Sequence, residues 1–305
     1  ANKIAVFSHK APDGDCLGSG TGLYYFLTSK GKEVDLYCDD EIHENFKFLA
    51  KDLYNSNLKE NATYDLLISV DCSDLSRLGK FETFFDSFEN TICIDHHLTN
   101  NNFAKINIVD SEKSSACELI YTFITTFEEI NDINLATSLY CGIATDTGCF
   151  IHNNTKQSTH IIAGKLISLG IDLEYVHYYL FKRKTIIDLK LMQETLKNLE
   201  FYNENKIAIT YITQKILKKY NLSDSIHIGM VNTITYLEES EVGVSMVEQS
   251  DNSFRISFRT KGNVDVSKVA LKFGGGGHRM AAGCKIFGKL HTVVKKIVDA
   301  ISEEL

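Results

Sequence analysis

The sequence predicts an α/β protein: a parallel-sheet domain over residues 1–184, a helical linker over 185–204 and a smaller α/β domain over 205–305. Two observations carry this reading. Through the first two thirds, short apolar runs alternate with helical stretches, the pattern of βαβ units and a parallel sheet. In the last third, strand-like runs follow one another across turn residues, as in hairpins.

The runs IAVFS (4–8), VDLYC (34–38), LLISVD (66–71), TICID (91–95) and INIVD (106–110) are continuous rather than alternating, as expected of strands covered on both faces. Helices are expected over 16–30, closed by Gly31, and over 114–129, 134–146, 156–169, closed by Gly170, and 172–200. The second domain opens on KIAITYI (206–212). VGVSMVE (242–248) and FRISFRT (254–260) flank Gln-Ser-Asp-Asn-Ser, a hairpin loop. A helix over 264–273 leads into GGGGH (274–278) and the strand AAGCKIF, and a last helix covers 289–304.

The 305 residues, 44% apolar and 24% charged, describe an ordinary globular chain able to bury a core in each domain. No window reaches the roughly 18 uncharged apolar residues of a membrane span. The N-terminal ANKIAVFSHK lacks a signal-peptide pattern, so a cytoplasmic location is expected. The eight cysteines form no CxxC pair and read as buried thiols of a reducing compartment. A net charge of −8 argues against coating long nucleic acid, which relies on cationic surface and counterion release. It leaves room for a short nucleotide held at a metal site whose cations offset the carboxylates.

The acidic residues fall at strand ends. His9, Asp13 and Asp15 follow the first run, Asp71 the third, and Asp95-His96-His97 the fourth; Asp146 closes an apolar helix. In a parallel sheet these ends share one edge, where ligands bind. Clustered carboxylates repel unless cations sit among them. Oxygen ligands mixed with imidazole suit Mn²⁺, with Mg²⁺ or Co²⁺ as substitutes, and the ligands outnumber what one ion uses, so two ions are expected. Taken singly, Asp15 reads as a helix N-cap, His9 or His97 as a hydrogen-bonding residue, and Asp110 as a turn or cap residue. Pro12, the single proline, should set Ala11 extended and start the helix late, so that the first ligands converge.

SHKAPDGD (8–15), SVDCSD (69–74), IDHH (94–97) and GIATDTGCF (142–150), in this order, resemble the four N-terminal motifs of the DHH phosphoesterase superfamily. GGGGHRMAAGC (274–284) resembles the signature of the DHH-associated C-terminal domain. The resemblance implies a two-Mn²⁺ centre in the first domain and an active site in the cleft between the domains. It implies metal ligation by His9, Asp13, Asp15, Asp71 (bridging), His96 and Asp146. Asp95 would orient an imidazole and His97 would face the substrate phosphate as a general acid. Arg77, Arg259, Gly275, Gly276, Gly277 and His278 would contact substrate, the glycines by letting backbone N–H groups approach phosphate. Arg255 and Arg279 read as ordinary solvated side chains.

Within that superfamily, GGGGH replaces the lysine- and arginine-rich C-terminal motif of pyrophosphatases, and no added nucleic-acid module or sensor domain is evident. The layout resembles the enzymes that trim very short RNA to mononucleotides and dephosphorylate 3′-phosphoadenosine 5′-phosphate. Cyclic or linear dinucleotide phosphodiesterases share it and stand as the alternative. A non-catalytic nucleotide-binding protein would be expected to lack a metal ligand, and a tRNA-binding role for the GGGGH domain would call for a basic stripe; the sequence shows neither feature. Expected partners are short RNA or small nucleotides, without long nucleic acid or membrane; the resemblance leaves room for a homodimer.

Overall fold

The computed structural model describes residues 1–50, 52–224, 226 and 230–305, Met230 by its backbone alone. It divides into two compact units, Ala1–Arg183 and Lys184–Leu305.

The first unit is built on β1 (Lys3–Phe7), β2 (Glu33–Tyr37), β3 (Tyr54–Asn55), β4 (Leu66–Val70), β5 (Thr91–Asp95) and β6 (Ile106–Val109). Their order is β3-β2-β1-β4-β5-β6 and every pairing is parallel. The helices are α1 (Gly14–Ser29), α2 (Lys47–Ala50), α3 (Glu82–Asp86), α4 (Ala116–Thr125), α5 (Ile133–Asp146), α6 (Gln157–Ile167) and α7 (Leu173–His177). Strand parity explains the continuous apolar runs. Ile4, Val6, Ile68 and Val70 pack into one core with Leu17, Ile120 and Leu139. The alternate residues Ala5, Phe7, Leu67 and Cys93 pack on the other face with Leu78, Phe81 and Phe85. Each large side chain so buried contributes roughly 1.5–3 kcal/mol.

The strand order reverses at β1, which has β2 on one side and β4 on the other. Such a switch point opens a crevice beyond the carboxyl ends of the two strands. Residues 8–15 leave β1 there, and Asp71 follows β4 directly.

Residues 172–200, expected as one helix, break into α7, a π-helical turn over Tyr178–Lys182 and α8 (Ile186–Lys197). The reason is a capping box: Thr185 N donates to Asp188 Oδ2 (2.7 Å) and Asp188 N to Thr185 Oγ1 (3.1 Å), which starts a new helix.

The second unit continues with β7 (Glu200–Tyr202), β8 (Ile207–Ile212), α9 (Gln214–Lys219), α10 (Met230–Thr235), β9 (Val242–Glu248), β10 (Ser253–Thr260), α11 (Val266–Leu271), β11 (Gly276–His278), β12 (Ala281–Phe287) and α12 (Leu290–Ser302). The sheet order is β11-β12-β10-β9-β8-β7, with β8–β9 parallel and the other pairings antiparallel. Residues 185–204 thus carry α8 and the edge strand β7, whose three residues were too short a run to read as a strand. Along β10, Phe254, Ile256 and Phe258 enter the core and the arginines take the alternate positions. Among the described residues no helix is long and apolar enough to cross a membrane.

Candidate metal centre

Ser8 and His9 remain buried beyond β1. Ala11 is not extended as expected: its φ is +51°, and its N–H donates to Asp40 Oδ2 (2.7 Å), which holds a left-handed turn ahead of Pro12. α1 starts at Gly14 rather than Cys16, because Asp13 is its N-cap, accepting from Asp15 N (3.1 Å) and Cys16 N (3.0 Å). Asp15 is fully buried within the first turn and serves a different helix. It accepts from Ala116 N (2.7 Å) and Cys117 N (3.0 Å) at the start of α4, where free N–H groups favour an anion. α5 approaches closely enough that a Cβ on Gly142 would lie 2.7 Å from Asp15 Oδ1, so glycine is required there.

Asp71 adopts φ +52°, a left-handed conformation that aspartate tolerates, and lies 2% exposed at the centre of the cluster. Its Oδ2 is 3.5 Å from His9 Nε2; its Oδ1 is 3.5 Å from His96 Nε2 and 3.6 Å from His97 Nδ1. His96 Nε2 also lies 3.7 Å from Asp15 Oδ2 and 3.6 Å from Asp146 Oδ2. Asp13 is more peripheral, with Oδ1 4.0 Å from His9 Nε2. His9, Asp15, Asp71, His96 and Asp146 therefore converge from the ends of β1, β4, β5 and α5.

The surrounding groups fix which imidazole nitrogens face inward. His9 Nδ1 donates to the Lys10 carbonyl (2.7 Å), which leaves Nε2 toward Asp71. The Arg77 guanidinium lies 3.0 Å from that same Nδ1, behind the ring, placed there by Lys10 N donating to Arg77 O (2.8 Å). His97 Nδ1 donates to Asp95 Oδ1 (2.7 Å), leaving its Nε2 without a hydrogen bond among the described residues. Three further residues were missed in the sequence. Asn100 holds Asp95 Oδ2 (2.7 Å), Asn154 donates to the Asp146 carbonyl (3.2 Å) and Oδ2 (3.4 Å), and Cys16 Sγ groups with His9 and Asp71. Their sequence signals are faint, since an isolated Asn or Cys shows its role only through tertiary contact. Burial pushes the Cys16 thiol up, so it sits protonated behind His9.

Burial and the charges of Asp71 and Asp146 push Asp15 well above the usual carboxylate range. Burial likewise raises Asp146 to about 6, against the pull of His96. Burial would disfavour a charged His96, yet the nearby carboxylates of Asp71, 3.5 Å away, and Asp15 outweigh it and raise His96 to about 10. Asp71 stays below the usual range despite burial, because His9 and His96 surround it. Without cations, the cluster resolves its repulsion by keeping protons.

The donor set fits divalent cations. Asp71 Oδ1 is buried and accepts no hydrogen bond among the described residues, an orphan that a cation would satisfy. Ligand atoms within 4.8 Å of one another form the groups Asp71–His96–His97, Asp15–His96–Asp146 and His9–Cys16–Asp71, so Asp71 and His96 each serve two groups. Carboxylate oxygens with imidazole suit a borderline-hard ion.

The C-terminal candidates lie in the second unit. Arg259 and His278 both pair in register with Ala281, from opposite sides of β12. Residues in one register row share a face, so an arginine and a histidine stand about 10 Å apart, two strand spacings. Arg259 donates to the Phe258 carbonyl (2.9 Å); Arg255 is taken up by the carbonyls of Asp224 and Ile226, and Arg279 by that of Gly262 (3.0 Å). β11, with Gly276, Gly277 and His278, is an exposed edge strand. Gly277, at φ +142°, would drive a Cβ to 2.5 Å from Ala282 Cα, so packing on β12 is one reason for the glycine.

A parallel sheet with an imidazole–carboxylate cluster at its switch point presents a candidate metal centre of the kind found in metal-dependent enzymes. Residues 3–143 match the DHH family N-terminal domain and residues 204–305 the DHHA1 domain. The chain belongs to the DHH phosphoesterase family. It is 31% identical over 287 residues, 93% of this chain and 89% of the relative, to a probable bifunctional oligoribonuclease and PAP phosphatase NrnA of Streptococcus mutans. A bifunctional oligoribonuclease and PAP phosphatase NrnA of Mycoplasma genitalium is 28% identical, covering 99% of this chain and 92% of the relative. An exopolyphosphatase-related protein from Bacteroides fragilis has the same fold, with a TM-score of 0.92 at 26% identity over 99% of this chain and 92% of that one.

Proposed function

We propose that this protein is a Mn²⁺-dependent phosphohydrolase that degrades very short oligoribonucleotides to mononucleotides and removes a phosphate from 3′-phosphoadenosine 5′-phosphate. The observation that carries the metal chemistry is Asp71, whose two oxygens face different imidazoles and whose Oδ1 accepts no hydrogen bond among the described residues. The substrate class follows from the relatives, whose printed activities cover nearly the whole length of this chain.

In this reading His9, Asp13, Asp15, Asp71, His96 and Asp146 would hold two ions. Two divalent cations supply four positive charges against four aspartates, which removes the repulsion that otherwise keeps protons in the cluster. When bound, such ions activate water at neutral pH and neutralise the phosphate. Asp95, braced by Asn100, fixes the ring of His97, whose Nε2 protonates the departing ester oxygen. Arg259, His278 and the backbone N–H groups of Gly275, Gly276 and Gly277 contact substrate phosphates, while Arg77 stays behind His9.

Purified protein with Mn²⁺ should be assayed against a dinucleotide, a 24-mer, 3′-phosphoadenosine 5′-phosphate, a cyclic dinucleotide and pyrophosphate. The dinucleotide should be turned over fastest among the polymers and pyrophosphate least. Faster hydrolysis of pyrophosphate or the 24-mer would overturn the proposal.

A further inference from the structure

Among the described residues, the two most exposed large aliphatic side chains are Leu98 (86%) and Ile151 (81%). Both sit beside the metal centre: Leu98 follows His97, and Ile151 stands five residues beyond Asp146. Isolated exposed aliphatics need no explanation, but the coincidence of the extreme pair with one polar cluster does.

Both lie in hydrogen-bonded turns. Leu98 occupies the turn closed by Asn100 N donating to the His97 carbonyl (3.1 Å). Asn100 is in turn pinned to Asp95 Oδ2 (2.7 Å) and the Cys72 carbonyl (3.1 Å). Ile151 is presented by an uncommon backbone, since Gly148, Cys149 and Phe150 adopt φ of +56°, +62° and +68° in succession. Consecutive left-handed residues other than glycine persist only where their surroundings enforce them, and they concentrate at functional sites. Here Phe150 is anchored inward against Tyr140 and His160, with ring centroids 6.1 and 5.3 Å away, while the Thr147 carbonyl accepts from Ile151 N (3.0 Å) and His152 N (2.9 Å). The turn packs Phe150, partly buried, against the core and delivers Ile151 to solvent.

We propose that Leu98 and Ile151 are specificity-determining residues that contact the nucleobases flanking the scissile phosphate. This rests on the reading of the centre as a nucleotide phosphohydrolase. A phosphodiester carries a nucleoside on each side of phosphorus; Leu98 adjoins His97 in the chain, and Ile151 belongs to the turn that follows Asp146. Fixed apolar contacts reward a base face of any identity and give nothing to inorganic pyrophosphate.

The test compares kcat/KM for a ribodinucleotide with that for the same sugar–phosphate diester lacking both bases, in Leu98→Ser, Ile151→Ser and Leu98→Met. The wild-type preference for the intact dinucleotide should fall about tenfold in each serine variant, mainly through KM, and be largely retained with methionine. An unchanged preference, whether both rates fall or neither does, or a wild-type preference near one, overturns the inference while leaving the proposed function standing. A wild-type enzyme inert toward the dinucleotide overturns both.

Discussion

Asp95 binds both histidines that follow it: its Oδ1 accepts from the His96 backbone N–H (2.8 Å) and from Nδ1 of His97 (2.7 Å). One carboxylate thereby sends the two rings to different tasks. Nε2 of His96 faces Asp15, Asp71 and Asp146, and Nε2 of His97 is left without a hydrogen bond among the described residues.

The brace on Asp95 is Asn100, so Asn100→Ala should lower kcat by about ten- to a hundredfold, the usual effect of losing a group that orients a ligand. The fold should persist, as judged by circular dichroism. Wild-type kcat in this variant would show that the turn alone orients His97.

Asp71→Ala should lower activity by more than about a hundredfold, with thermal unfolding still cooperative, because among the described residues no other carboxylate reaches both His9 and His96. Excess Mn²⁺ should not restore it. Restoration would mean that the ions are held without Asp71.

The metal-free protein should lose stability as pH rises. Asp146 moves from its ordinary 3.8 up to about 6, and His96 from 6.5 up to about 10, so between these limits the folded chain holds more protons than the unfolded one. Stability supplied by such groups is present at low pH and is lost as pH rises through the folded-state values. Cations take over the role of those protons, so the Tm increase on adding Mn²⁺ should grow between about pH 5 and pH 8. A Tm increase independent of pH, measured by scanning fluorimetry, would contradict this.

Gly142→Ala would place a methyl 2.2 Å from Cys117 Sγ and 2.7 Å from Asp15 Oδ1. The expected cost is about 1–3 kcal/mol in urea unfolding, with weaker Mn²⁺ binding because Asp15 must shift. Unchanged binding would show that Asp15 can move without consequence.

Much of the first unit was legible because its strands are continuous apolar runs: β1, β2, β4, β5 and β6 begin and end within a residue of them. Which acids could meet was legible as well, since parallel strands bring their carboxyl ends to one edge. The division of labour was not. Taken singly, Asp15 reads in sequence as the N-cap of α1, yet Asp13 caps it and Asp15 reaches across to α4, a distinction made by tertiary packing. Pro12 pointed to an extended Ala11, but the Asp40 carboxylate, distant in sequence, imposes a left-handed turn. The break at Thr185 was written in a Thr-x-x-Asp capping box and overridden in reading by the surrounding helical pattern. Asn100 and Asn154 carry no periodic or motif signal and emerge only where the chain folds back.

The most direct test of the central claim is the Mn²⁺ stoichiometry of metal-stripped protein, measured by calorimetric titration with elemental analysis of the product. Two ions per chain, reduced to at most one in Asp71→Ala, is the predicted result. A single ion per wild-type chain, or two ions undisturbed by Asp71→Ala, would contradict a centre organised around Asp71.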